Sequence, residues 1–228
     1  MLHASPLRSV ALLVGLTLIA DPAGAVSFSL SASSPSVPGV GAADVLTPGP
    51  GGTVIVAFTA MSLGLMPGDD IDALSFGAFQ GNEPYFSVDA SSTGAAGSGL
   101  LAESTAGQQA GDIYKDPFPV NLPGSNVLVA NQDSLGLLPA LGPGVSTSLL
   151  LDDIDALDMD LPSLADPNGD GIPDIPIYFS LTPTSPTLMM IGAGPGDILV
   201  NVPFSLPMIA VSTMMMGLTP SDDVDALL

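Results

Sequence analysis

One hexapeptide, Asp-Asp-(Ile/Val)-Asp-Ala-Leu, occurs three times: Asp69–Leu74, Asp152–Leu157 and Asp222–Leu227. A pattern that recurs at long spacing restricts the chain to one supersecondary unit used several times. Before the first box stands Leu63-Gly64-Leu65-Met66-Pro67, and before the third Met216-Gly217-Leu218-Thr219-Pro220. The middle copy has Leu135-Gly136-Leu137-Leu138-Pro139, followed by a Gly/Pro-rich insertion. Each unit opens alike, on Phe28-Ser29-Leu30, Phe86-Ser87-Val88 or Phe179-Ser180-Leu181. Between opening and box lies Ala43-Asp44-Val45-Leu46, Gly111-Asp112-Ile113-Tyr114 or Gly196-Asp197-Ile198-Leu199. The Asp of this third signal precedes the box by 25 residues in the outer copies and 40 in the middle one.

Short β-branched runs complete the pattern: Val54–Phe58, Asn126–Ala130 and Met208–Val211, each bounded by Gly or Pro. With the opening, the Asp-Ile signal and the box, they give about four short strands per unit. No window sustains helical periodicity, although residues 91–110 read as either a short helix or a loop. The expected fold class is therefore all-β, with three repeats of about four short strands. A propeller-like or pseudo-threefold arrangement is expected, and a two-sheet β-sandwich is the alternative.

Residues 1–25 read as a signal peptide. Arg8 supplies the positive start, Val10–Ala20 an apolar stretch of 11 residues, and Ala23-Gly24-Ala25 a small-x-small cleavage site. The stretch is short for a membrane span. This places the chain outside the cytoplasm, secreted or periplasmic, with one β-repeat domain over residues 26–228 and units near 26–77, 84–160 and 177–228.

That domain has no His, Arg, Cys or Trp, and its one basic side chain is Lys115. Its 22 carboxylates give a net charge of −21. Nucleic acid and anionic membrane surfaces need Lys and Arg, so both are excluded as partners. Without disulfides, stability must come from the core or from bound ions. In the full chain Asp outnumbers Glu by 21 to 2 and is clustered, which suits turns and hard cations better than general solvation.

The most specific motif is Asp166-Pro167-Asn168-Gly169-Asp170-Gly171-Ile172-Pro173-Asp174. Oxygen side chains at positions 1, 3, 5 and 9, with Gly at 6, follow the loop by which EF-hands wrap calcium, and the Ile172 carbonyl stands at position 7. Position 12 is Ile177, so the bidentate Glu is missing, and the flanks are Pro-rich and strand-like. The segment thus resembles the calcium loops of thrombospondin type 3 and FG-GAP/VCBS-type extracellular repeats. That resemblance covers about a dozen residues and implies calcium at Asp166, Asn168, Asp170 and Asp174. Asp158 or Asp160, just upstream, could complete the shell. The box-and-strand pattern also resembles uncharacterised bacterial secreted repeat proteins, a likeness that implies no activity.

The boxes admit two readings. On a strand, Asp70 and Asp72 would share an outer face, and neighbouring units could gather carboxylates that require a cation or raised pKa values. Alternatively the Asp residues cap turns, with solvated neighbours. Asp44, Asp112 and Asp197 read as turn formers. Met189-Met190 and Met214–Met216 read as core filler, and Lys115 as part of an exposed turn. Lacking His and Cys, the chain has no triad or thiol nucleophile, so catalysis is not favoured. A secreted, calcium-binding structural, adhesive or ligand-binding module is the expectation, with a carboxylate-based glycoside hydrolase as the alternative. An extracellular ligand or protein is the partner class, and association of several copies stays open.

Overall fold

Extended backbone forms where apolar and polar residues alternate between Gly and Pro, and strands dominate the regular structure. The structure, a computed structural model, describes residues 27–30, 39–76, 84–116, 125–138, 151–159, 176–202, 205–219, 222–224 and 227. β1 (Val45–Pro48) and β2 (Val54–Phe58) pair as an antiparallel hairpin, and Phe28 bridges to Leu46. A second antiparallel sheet runs β3 (Ile71–Ser75), β4 (Tyr85–Val88), β5 (Ile113–Lys115), β6 (Val127–Ala130) in chain order. The third repeats that meander with β7 (Ile154–Asp158), β8 (Tyr178–Leu181), β9 (Ile198–Val202) and β10 (Ser205–Val211).

The chain is therefore mostly sheet, as its patterning implies. Among the described residues three short α-helices interrupt it: α1 (Gly99–Ala106), α2 (Pro186–Ile191) and α3 (Thr213–Met216). α1 falls inside the stretch that the sequence left as helix or loop. Ser98 caps its start by accepting from Leu101 N at 3.0 Å, and left-handed Gly107 ends it. Since it buries only Leu100, it carries no apolar periodicity to read.

The first two boxes do not close the sheet of the unit before them. β3 pairs with β4 and β7 with β8, so each box strand is the first strand of the following sheet. Each of these pairings joins consecutive strands, across nine residues between β3 and β4 and 19 between β7 and β8. Two further readings are corrected. Lys115 ends β5 opposite Tyr85 and Val127 rather than lying in an exposed turn, because buried Tyr114 and Asp116 hold the segment in the sheet. Met189, Met190, Met214 and Met215 are exposed on short helices instead of filling the core.

The second sheet is the middle layer of the packing. One face sends Phe86, Val88 and Tyr114 into a cluster with Val45 of the first sheet. Within it the Phe86 and Tyr114 rings stand 5.9 Å apart. The other face sends Ala73, Ile113 and Ala130 into a cluster with Ile154, Phe179 and Leu199 of the third. Buried apolar area of this kind is the main stabilising term.

Each Leu-Gly-Leu (or Met-Gly-Leu) turn places its Gly in the left-handed region, with φ of 70° at Gly64, 76° at Gly136 and 78° at Gly217. A side chain there costs about 1 kcal/mol in backbone strain. At Gly136 an added Cβ would also collide with the Ser205 carbonyl at the start of β10, whereas nothing lies within 4 Å of the same point at Gly217. Gly136→Ala is expected to destabilise by roughly 3 kcal/mol and Gly217→Ala by about 1 kcal/mol in urea unfolding. Equal losses would contradict the close approach of Ser205.

Candidate metal centre

A carboxylate that leaves water needs donors or positive charge around it, and this requirement sorts the aspartates by position. The first Asp of each box is a backbone cap. Asp69 accepts from Met66 N at 2.7 Å, Thr93 N at 2.8 Å and Gly94 N at 3.1 Å. Asp152 accepts from Leu138 N at 2.8 Å, Thr187 N at 2.9 Å and Thr187 Oγ1 at 2.5 Å. Asp222 accepts from Thr219 N at 2.7 Å. Burial pushes the Asp152 carboxyl up, opposed by the Thr187 and Leu138 donors.

The Asp of the third signal is also a cap. Asp44 accepts from Gly41 N at 2.9 Å and Ala60 N at 2.8 Å, and Asp197 from Gly194 N at 2.9 Å and Thr213 N at 2.6 Å. For Asp197, burial is outweighed by the Gly194 and Thr213 bonds, which hold its carboxyl below the usual range. Asp112 instead accepts from Gln132 N at 2.8 Å and Tyr114 Oη at 3.2 Å. With one backbone donor and full burial, its carboxyl is pushed up to about 7, first by desolvation.

The remaining box aspartates behave differently. In β3, Ile71 faces Val88 and Ala73 faces Ser87, so Asp72 has no residue opposite it. In β7, Ile154 faces Leu181 and Ala156 faces Ser180, leaving Asp155 in the same situation. Both are bulged residues, and a bulge re-aims its side chain. β3 and β7 pack against each other, and Met159 N donates to Ser75 Oγ at 3.1 Å where they end. Asp72 and Asp153 share a hydrogen bond across this junction, with Asp70, Asp89 and Asp155 close enough to repel them.

Burial and then those neighbouring charges push both carboxyls above the usual range, so the pair titrates as a unit. Asp72 is thus half-buried between sheets and not on a solvated outer face, because β7 covers it. One oxygen of Asp153, Oδ1, is buried without a hydrogen-bond partner. Such an arrangement can hold a proton or, with modest side-chain rotation, offer several oxygens to a hard cation. Among the described residues no three acidic side chains already stand as a preformed metal site.

Of the residues predicted from sequence, Asp158 closes β7 opposite Tyr178, half-buried. Asp160, Asp166, Asn168, Asp170, Ile172 and Asp174 lie outside the described residues. Sequence reasoning foresaw carboxylates gathering between units but missed Asp89. It follows the Phe-Ser-Val strand, where the third sheet has Thr182 in the same turn; Asp89 N bonds Asp70 O and Thr182 N bonds Asp153 O. Its pairing with the box is readable only from the register. Comparison of the chain with protein-family models, curated proteins and solved structures found no match.

Asp112 gives a test of the capping geometry. Its folded pKa lies above the ordinary 3.8, so the folded state binds the extra proton and stability falls as pH rises from about 4 through 7. Asp112→Asn keeps an acceptor for Gln132 N and removes the charge. It is expected to be more stable than the parent at pH 8 by about 1–3 kcal/mol, with the gap closing near pH 4. A pH-independent difference would contradict the burial.

Proposed function

We propose that this chain is a secreted, calcium-stabilised β-repeat module with a structural, adhesive or ligand-binding role. The carrying observation is the convergence of Asp70, Asp72, Asp89, Asp153 and Asp155 at the β3–β7 junction. Residues 26–228 contain one basic side chain, so no set of Lys or Arg can neutralise these carboxylates. A buried anion cluster then needs protons or a cation. Calcium suits it, taking six to eight oxygens at about 2.3–2.6 Å in flexible geometry. The Asp166–Asp174 loop supports the same ion independently by its residue pattern.

Three repeated units, with the second sheet packed between the first and the third, are part of this reading. Its support is the recurrence of bonds at matched positions. Asp44 and Asp197 cap the backbone 16 residues ahead, and Asp69 and Asp222 cap the N–H three residues behind. In the middle copy the corresponding separations are 20 and 14 residues, so the 15 extra residues divide as four and eleven around an unchanged pair of caps. A glycoside hydrolase is not favoured, because Asp72 and Asp153 touch, and paired glycosidase carboxyls stand about 5 Å or more apart. Among the described residues no helix is long and apolar enough to cross a membrane.

Thermal melts at pH 7 in about 5 mM calcium and in chelator test the ion. An ion at about 100 times its Kd adds about 2.7 kcal/mol, or roughly 5–10 °C for a chain of this size. Asp72→Asn is expected to lose much of that gain, and Asp170→Asn a separate share. Identical melting in calcium and chelator would sink the proposal.

A further inference from the structure

We infer that the chain associates head to tail with further copies of itself, through the contact its own sheets already make. Two such contacts exist inside one chain. Asn126, at the lead-in to β6, donates from Nδ2 to the carbonyls of Leu63 and Gly64 at 2.8 and 3.2 Å. The Ser205 carbonyl, at the lead-in to β10, sits against Gly136 of the next turn along. In both cases the outer strand of one sheet begins on the Leu-Gly-Leu turn that precedes that sheet. At the third turn, Met216-Gly217-Leu218, no described residue lies within 4 Å of an added Cβ at Gly217, and the remaining lead-in, Gly52-Thr53-Val54, is exposed. One molecule thus presents an unfilled turn at one end and an unfilled lead-in at the other.

Exposed apolar side chains follow the same division. Among the described residues, the middle sheet and its helix expose only Leu101 and Val127 of their large apolar side chains, because neighbours cover both faces. The first-sheet end exposes Val54, Ile55 and Val56 in β2. The third-sheet end exposes Leu206, Met208 and Ile209 in β10 and Met214 and Met215 in α3. Stacked repeats stay soluble when their terminal units are polar outside, and these are apolar. β2 and β10 carry no charged residue, so the contact would not bring the acidic groups of two copies together. A surface complementary to another place on the same molecule generates heterologous assembly, as a ring or an open fibre. The inference rests on the repeat reading above and is independent of the calcium site.

The test is sedimentation velocity of the full chain from about 1 to 100 µM, in about 0.5 M NaCl to screen its net charge of −21. Mass is expected to rise with concentration above the 22.7 kDa monomer. Ile55→Glu blocks one end and Met215→Glu the other. Each variant alone is expected to stay monomeric, while an equimolar mixture forms a dimer and nothing larger, since one working end of each kind remains. Both positions are exposed, and recovery of the dimer on mixing shows that both variants are folded. A parent that stays monomeric at 100 µM would overturn the inference. So would a variant that still associates alone, or a mixture that does not pair.

Discussion

Carboxylates removed from water must find donors, protons or cations, and the turns that lead into the box strands and into β9 follow from how that need is met. Where a backbone amide can reach the aspartate, the chain is pinned: the turn before a box closes on Asp69 or Asp222, and the turn before β9 closes on Asp197. Each such bond to a charged acceptor contributes about 1.5–3 kcal/mol. These caps set where the strands begin, and so decide which apolar residues face the two core clusters. Asp152 shows their strength, since it still holds Leu138 N across 14 residues where Asp69 holds Met66 N across three.

Where amides do not reach, charge accumulates. The bulges at Asp72 and Asp155 turn carboxyls out of the ladder toward the β3–β7 junction, and Asp89 joins them from the end of β4. The identical-looking Asp-Asp-Ile-Asp letters thus divide into two chemistries. The first Asp is structural. In the first two boxes the others stand close enough to repel one another, and burial with that repulsion raises the carboxyls of Asp72 and Asp153. An ion at that place would draw the two sheets together by the same carboxylates that now oppose their contact.

Much of the fold was legible because its strands are short, β-branched and punctuated by Gly and Pro. Val54–Phe58 was read in full from residue pattern, and β6 and the later part of β10 were read closely. The role of Asp44 and Asp197 as turn formers was legible from their Gly-rich flanks. Sheet membership was not, because which strand a box pairs with is decided by tertiary packing rather than by any residue type within the box. The exposed methionines were misread since apolar runs look alike in core and on an uncovered face. Lys115 was misread because Asp-Pro suggests a turn, while the burial of Tyr114 is a tertiary effect.

The most direct measurement is a crystal structure of the chain grown in calcium, read at the β3–β7 junction. The account predicts an ion bound by oxygens of Asp72 and Asp153, at about 2.3–2.6 Å, with others of the five aspartates or water completing the shell. Asp72 and Asp153 still joined by a short hydrogen bond, with no ion between them at saturating calcium, would contradict it.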